Sequence, residues 1–231
     1  MSGICDEQYH YDRINRRDYN YRCKKRTKRV YKAIKRNIPD SNKINCLDVG
    51  AADLHMLDEI CKIDELNLCV GVDMTLELLK FNPNEKINMA VADAVKLPFG
   101  FEKFDVCIAA ALIEHLEEPD LFFHEIQQVL KKGGLLIITT PNPIHDKIGD
   151  LVGYNVEDKH FTLINKKNLT QKLQEHGFKI IEYQYFMLFP FAKIPLEEKL
   201  EEMIDKIGLG KIMSNQLIVS KKRGNKIEGI A

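Results

Sequence analysis

Residues 43–60, KINCLDVGAADLHMLDEI, set Asp48, Gly50, Ala51 and Asp53 at the end of an apolar run, just ahead of a helix-like stretch. A glycine there lets the backbone turn sharply against a ligand, and nucleotide cofactors bind beyond such strand ends. In a dinucleotide-binding turn the second glycine admits a pyrophosphate and the third lets the following helix pack closely. This chain has Ala52 and Leu54 at those places, so a dinucleotide is a poor fit. Leu54 leaves two readings: a helix that starts late, with Asp53 as its N-cap, or a weakened cofactor site. Leu54, Leu57 and Cys61 recur at helical spacing, which favours the late start. Two further apolar runs end on carboxylates, Asp73 in VGVDMT and Asp93 in VADAVKLPF. Histidines stand downstream: His115 in IEHLEEP, His145 in PNPIHDKIG and His160 in EDKHFTLINKKNL. A histidine poised near neutrality can take a proton from a hydroxyl. His115 can equally fix the loop before Pro119 by a structural hydrogen bond, and no spacing argument selects His145.

The elements that must position these groups alternate. Apolar runs INCLDV, LNLCVGVD, INMAVAD, FDVCIAAA and GLLIITT are separated by helix-length stretches at residues 54–63, from Thr75, and at 121–131. That order predicts βαβ units and a parallel sheet with helices on both faces, an α/β fold. A further helix over 166–176 runs into Gly177 as C-cap, and FKIIEYQYF follows as a strand. Residues 187–214 interrupt the sheet, and the last strand, NQLIVSKK, returns to pair with its predecessor.

The chain has 231 residues, 45% of them hydrophobic and 29% charged, enough for one sizeable core. No apolar run approaches the roughly 20 residues of a membrane span, and the amino terminus is polar, which predicts a cytoplasmic protein. The six cysteines include no CxxC pair, so neither a metal site nor a disulfide framework is expected. Net charge is zero, yet residues 11–36 carry twelve Lys/Arg against Asp12 and Asp18.

With Asp48, Gly50, Asp73, Asp93, FDVCIAAALIEHL and KKGGLLIITTPNP in this order, the chain resembles the class I S-adenosylmethionine-dependent methyltransferases, and among them the small-molecule group with an EHL signature. The resemblance runs from about residue 42 to 222. It implies a Rossmann-like sheet of seven strands, mostly parallel with an antiparallel last strand, and S-adenosyl-L-methionine as cofactor. That cofactor has no pyrophosphate, so bare backbone is needed chiefly at Gly50. The resemblance places Asp48, Gly50 and Ala51 in the cofactor turn and Asp73 on the ribose diol, both of whose hydrogen bonds a carboxylate can accept. It sets Met74 against the adenine, Asp93 and Ala94 at the adenine's amino edge, and Ala110 at the methionine end. His160 matches a histidine–aromatic pair of the family, and with His115 it is a candidate proton acceptor. In-line methyl transfer can proceed by proximity alone, so a base is not obligatory.

Two appendages bear on the acceptor. Residues 1–41 form a basic arm, whose Val30, Ile34 and Ile38 at helical spacing predict a helix packed on the domain with its basic face in water. Its tyrosines interleaved with arginines suit RNA as well. Within domain 42–222, the 187–214 insertion carries a stripe of Leu196, Leu200, Met203, Ile204 and Ile207, expected as core or lid packing on the acceptor side; 223–231 is a tail. A small-molecule acceptor, anionic or partly apolar, is the first reading. An RNA methyltransferase and a non-catalytic methyltransferase-like partner protein are the alternatives. The acceptor atom and the oligomeric state are not legible.

Overall fold

The computed structural model describes residues 16–38, 43–63, 66–81, 84–144, 164–190 and 195–224. Helix α1 (Arg17–Asn37) precedes strand β1 (Ile44–Val49), helix α2 (His55–Ile60), β2 (Leu66–Asp73), the single turn α3 (Leu76–Leu79), β3 (Ile87–Val91) and β4 (Phe104–Ala110). A 3-10 turn at Ile113–His115 leads into α4 (Pro119–Val129) and β5 (Leu130–Pro141). Then come α5 (Lys166–Glu175), β6 (Phe178–Phe186), α6 (Glu197–Lys206), a second 3-10 turn (Gly210–Ile212) and β7 (Asn215–Lys222).

The seven strands form one sheet in the order β3-β2-β1-β4-β5-β7-β6. Strands β1 to β5 pair in parallel, and β7 runs antiparallel between β5 and β6. The central strands are apolar on both faces because helices cover both, as a parallel sheet requires. On one face Phe122, Phe123 and Ile126 of α4 and Leu169 and Leu173 of α5 pack against Leu47, Val49, Cys107 and Ile138. On the other, Val30, Ala33 and Ile34 of α1 and Leu57 and Ile60 of α2 pack against Cys46, Val106, Ile108 and Ile137. Thus α1 supplies core.

Local signals set the helix ends. Pro119 opens α4, whose missing N–H is no loss in the first turn. The Asn165 side chain caps α5 by accepting the Asn168 N–H at 2.9 Å, and Gly177 closes it with a φ of +78°. Helix α2 does start late. Its capping residue is Leu54, left-handed at φ 61°, while Asp53 Oδ1 accepts the His55 N–H at 3.2 Å from one position further out.

Leu54 is fully buried on the α2 face of the sheet. A Cβ placed on Gly71 of β2 would meet Leu54 Cδ2 at 2.4 Å. The close approach of helix to strand that a third glycine in the turn would permit is therefore achieved from the other side, with the glycine on the strand and the side chain in the turn. Leu54 is core, not an obstruction above the turn.

Candidate active site

The chain leaves β1 toward β2 on one side and enters β4 on the other, so a crevice opens at the carboxyl ends of β1 and β4, where ligands of open α/β sheets bind. Gly50 turns away from β1 at φ +74°, and its N–H and that of Ala51 both donate to Val72 O, at 2.8 and 2.9 Å. A Cβ at Gly50 would meet Leu112 Cδ1 at 2.9 Å, so the turn lies directly against the segment after β4.

Asp73, at the end of β2, is held on both oxygens: Oδ2 accepts the Ala52 N–H at 2.9 Å and Oδ1 the Thr75 N–H at 3.0 Å. Each carboxylate oxygen has a second lone pair, so two acceptor sites remain on a carboxylate whose orientation is already fixed. Met74 beside it is exposed. Asp93 stands one strand further out: Ala92 donates to Asp73 O at 3.0 Å, and Asp93 Oδ1 accepts the Val95 N–H at 3.1 Å, with Ala94 buried beneath.

Asp48 is the unusual member. It is buried, and its Oδ1 has no hydrogen-bond partner. Burial, with Asp73 and Asp53 adding repulsion, pushes its carboxyl up to about 8. In register, Asp48 pairs with Ile108, Ile108 with Ile137, and Ala110 with Thr139, so Asp48, Ala110 and Thr139 share the α1 face of the sheet. Asn215, opposite Pro141, lies on that face too. Thr139 Oγ1 and Asn215 Oδ1 are likewise buried without partners. Three unsatisfied oxygens thus line one edge of the sheet, from β1 to β7.

The structure brings Asp48, Gly50, Ala51, Asp73, Met74, Asp93, Ala94 and Ala110 to the ends of four neighbouring strands, β3-β2-β1-β4. His115 is half-buried in the 3-10 turn after β4, its N–H donating to Leu112 O at 2.9 Å. Its neighbour Glu114 is buried and accepts the Thr140 hydroxyl at 3.0 Å, tying the ends of β4 and β5 together. His145 and His160 lie outside the described residues. Sequence reasoning missed Glu114, Thr139 and Asn215; for Glu114 the signal was a lone charge inside the apolar run AALIEHL.

Both appendages differ in part from expectation. The arm helix packs on the domain and Arg17, Lys24 and Lys28 stay exposed, but one side of its basic face meets α6. Lys25 pairs with Glu197 and Glu201 and Arg29 with Glu201 at 2.6 Å, both against buried glutamates, while Lys28 pairs with Glu198, and Lys32 with Glu198 at 3.0 Å, at the surface. Tyr21 donates to Glu197 and Arg36 pairs with Glu182. The α6 stripe expected to pack does so only in part: Leu200 and Ile204 are half-buried, Leu196, Met203 and Ile207 are 72%, 55% and 63% exposed, and Glu197 and Glu201 form the buried side. Buried charges of opposite sign on α1 and α6 pair only in this orientation.

A sheet of this order, with a single-glycine turn and an acid-ended second strand at the switch point, defines a Rossmann-like α/β domain of the methyltransferase class. The chain belongs to the methyltransferase domain family, whose model matches residues 16–183, α1 included, and whose cofactor is S-adenosyl-L-methionine. A 28% identical relative is the mitochondrial 2-methoxy-6-polyprenyl-1,4-benzoquinol methylase of Xenopus laevis, matched over 68% of this chain and 47% of its own length. An uncharacterised protein of Methanocaldococcus jannaschii is 29% identical over 50% of this chain and 58% of its own. The chain thus spans about half the length of these relatives. Among solved structures, phosphoethanolamine N-methyltransferase 2 of Haemonchus contortus, in complex with S-adenosyl-L-methionine, superposes with a TM-score of 0.62. It is 20% identical, with 85% of this chain and 53% of that one covered.

The crevice residues fit this cofactor. The unpartnered Asp48 Oδ1 suits a ligand that brings hydrogen-bond donors and positive charge, and the two remaining acceptor sites of Asp73 suit a diol.

Proposed function

We propose that the protein transfers a methyl group from S-adenosyl-L-methionine to a small, partly apolar acceptor. The observation that carries this reading is the pair of carboxylates on either side of Gly50: Asp73, fixed by two backbone N–H groups, and Asp48, buried with an unpartnered oxygen. In it, Asp73 takes the ribose hydroxyls and Asp48 faces the ammonium of the methionine end, beside the turn of Gly50 and Ala51. Met74, Asp93 and Ala94 border the adenine, and Ala110 the methionine end.

The bound cofactor supplies an electrophilic methyl on a sulfonium, which a nucleophile displaces in line. The chain's part is to hold the acceptor atom on that line and exclude water, and proximity can supply most of the acceleration. Thr139 Oγ1 and Asn215 Oδ1 lie along the same edge; two strand spacings of about 4.8 Å and two residues of about 3.3 Å along β5 put Thr139 roughly 12 Å from Asp48. In our reading they receive the acceptor's own N–H or O–H groups. His115 is placed to accept a proton from a hydroxyl acceptor; His160 is the second candidate.

A small acceptor is favoured over RNA because Lys25 and Arg29 are held against buried glutamates of α6, and Lys28 and Lys32 already face Glu198, which reduces the cationic surface left for a phosphate backbone. The relative named for a polyprenyl benzoquinol supports an apolar acceptor. The test is methyl-labelled cofactor with an extract of the source cells, separated into solvent-soluble, RNA and protein fractions. Label in the solvent-soluble fraction is expected. Label confined to RNA would overturn the acceptor class.

A further inference from the structure

Helix α6 reverses the usual arrangement of an amphipathic helix on a domain. Glu197 and Glu201 are buried against Lys25 and Arg29, and this leaves Leu196, Met203 and Ile207 of the aliphatic stripe in solvent, with Leu200 and Ile204 half-buried between them and the glutamates. The stripe does not end with the helix. Gly208, at φ +79°, closes α6 with Gly208 N–H to Asp205 O and Leu209 N–H to Ile204 O, both at 3.0 Å, and the chain continues into Leu209 and Ile212, 54% and 47% exposed. Leu196, Met203, Ile207, Leu209 and Ile212 are all exposed on a helix of 10 residues, its capping residue and the turn after it. Contiguous apolar patches on a soluble domain mark contact sites.

The charges around it select the partner. At 100° per residue, Lys199 and Lys206 lie together about 40° and 60° to one side of Met203, exposed Glu202 and Asp205 lie further round, away from the apolar residues, and Lys211 stands beside Ile212. All three lysines are exposed and none is ion-paired among the described residues, whereas Glu197, Glu198 and Glu201 point to α1. An aliphatic stripe bordered by unpaired lysines is the pattern of a helix lying in the headgroup region of an anionic bilayer. It does not span, for no described helix is long and apolar enough to cross a membrane. An antiparallel pairing with a second copy would bring the lysine rim against itself, which disfavours that occupant.

We propose that the outward face of α6 and the turn after it docks on an anionic lipid surface. This inference stands apart from the methyl-transfer reading, since it uses none of the crevice residues. Binding is measured by co-sedimentation with phosphatidylcholine vesicles and with vesicles containing about one-third phosphatidylglycerol. Wild type should sediment with the anionic vesicles. Met203→Glu with Ile207→Glu should lower partitioning by about tenfold or more. Lys199→Gln with Lys206→Gln should lower it roughly fivefold per lysine on anionic vesicles only. Circular dichroism and affinity for S-adenosylhomocysteine should be unchanged in both. The chain contains no tryptophan, so Met203→Trp gives a single reporter whose emission should shift to the blue on anionic vesicles. Absence of wild-type binding, binding that survives the double glutamate variant, or a wild-type dimer that this variant dissociates without any vesicle binding would overturn the proposal.

Discussion

The carboxyl of Asp48 carries the clearest pH signature. Its folded value is pushed up to about 8 by burial, with Asp73 and Asp53 contributing, against an ordinary 3.8. Between those values the folded chain holds a proton that the unfolded chain has released. This contribution to stability is therefore complete below pH 3.8 and is lost as pH rises toward 8. The expected result is that the free protein loses stability from pH 4 to 8 by on the order of a few kcal/mol, and that Asp48→Asn flattens this slope in chemical denaturation. A slope unchanged in the variant would assign the titration elsewhere. Asp48, Gly50, Asp73 and Asp93 were legible in the sequence because each closes an apolar run, which is where an α/β sheet binds ligands. Thr139 and Asn215 were not, since a polar residue inside or at the start of a strand reads as a solvent-facing position until the register shows which face it shares with Asp48. Leu54 looked anomalous only because its compensating glycine, Gly71, lies on another element.

Helices α1 and α6 are joined through one buried glutamate. Glu201 accepts from Lys25 and Arg29 and, through Oε1, from the backbone N–H groups of Met187 and Leu188 at 2.8 and 2.9 Å. Burial alone would raise its carboxyl, but the Lys25 hydrogen bond, the Leu188 N–H and Arg29 outweigh it and hold the value below the usual range. A depressed carboxylate stabilises above its unfolded value and loses that contribution as pH falls through the folded one, so the α1–α6 contact should weaken only in acid. Glu201→Ala removes an acceptor shared by Lys25, Arg29 and two backbone donors, leaving Lys25 only Glu197 and Tyr21 and Arg29 only Gln184, and should cost about 3 kcal/mol in urea unfolding, with amide exchange rising first in α1 and α6. A loss under about 1 kcal/mol would show the cluster to be dispensable. At this scale the strands were legible from their apolar runs to within a few residues. The orientation of α6 was not, because a 3.6-residue stripe states that a helix is two-faced without stating which face is buried. That choice is made by cations on a helix about 170 residues earlier in the chain.

Across the whole molecule, the sheet order follows from alternating elements, and the order in turn fixes where the crevice opens. The open question at this scale is whether carboxylates from separate strands act on one ligand. Asp48, Asp73 and Asp93 are spread over 46 residues of sequence and meet at one edge only because β1, β2 and β3 are adjacent and parallel. Calorimetric titration with S-adenosylhomocysteine, comparing wild type with Asp73→Ala, tests this most directly. Two charge-assisted hydrogen bonds of roughly 1.5–3 kcal/mol each are at stake, so the variant should bind about a hundredfold more weakly or worse while its urea unfolding stays cooperative. A folded Asp73→Ala protein that binds as tightly as wild type, or a wild type that gives no binding heat across the temperature range, would contradict the account.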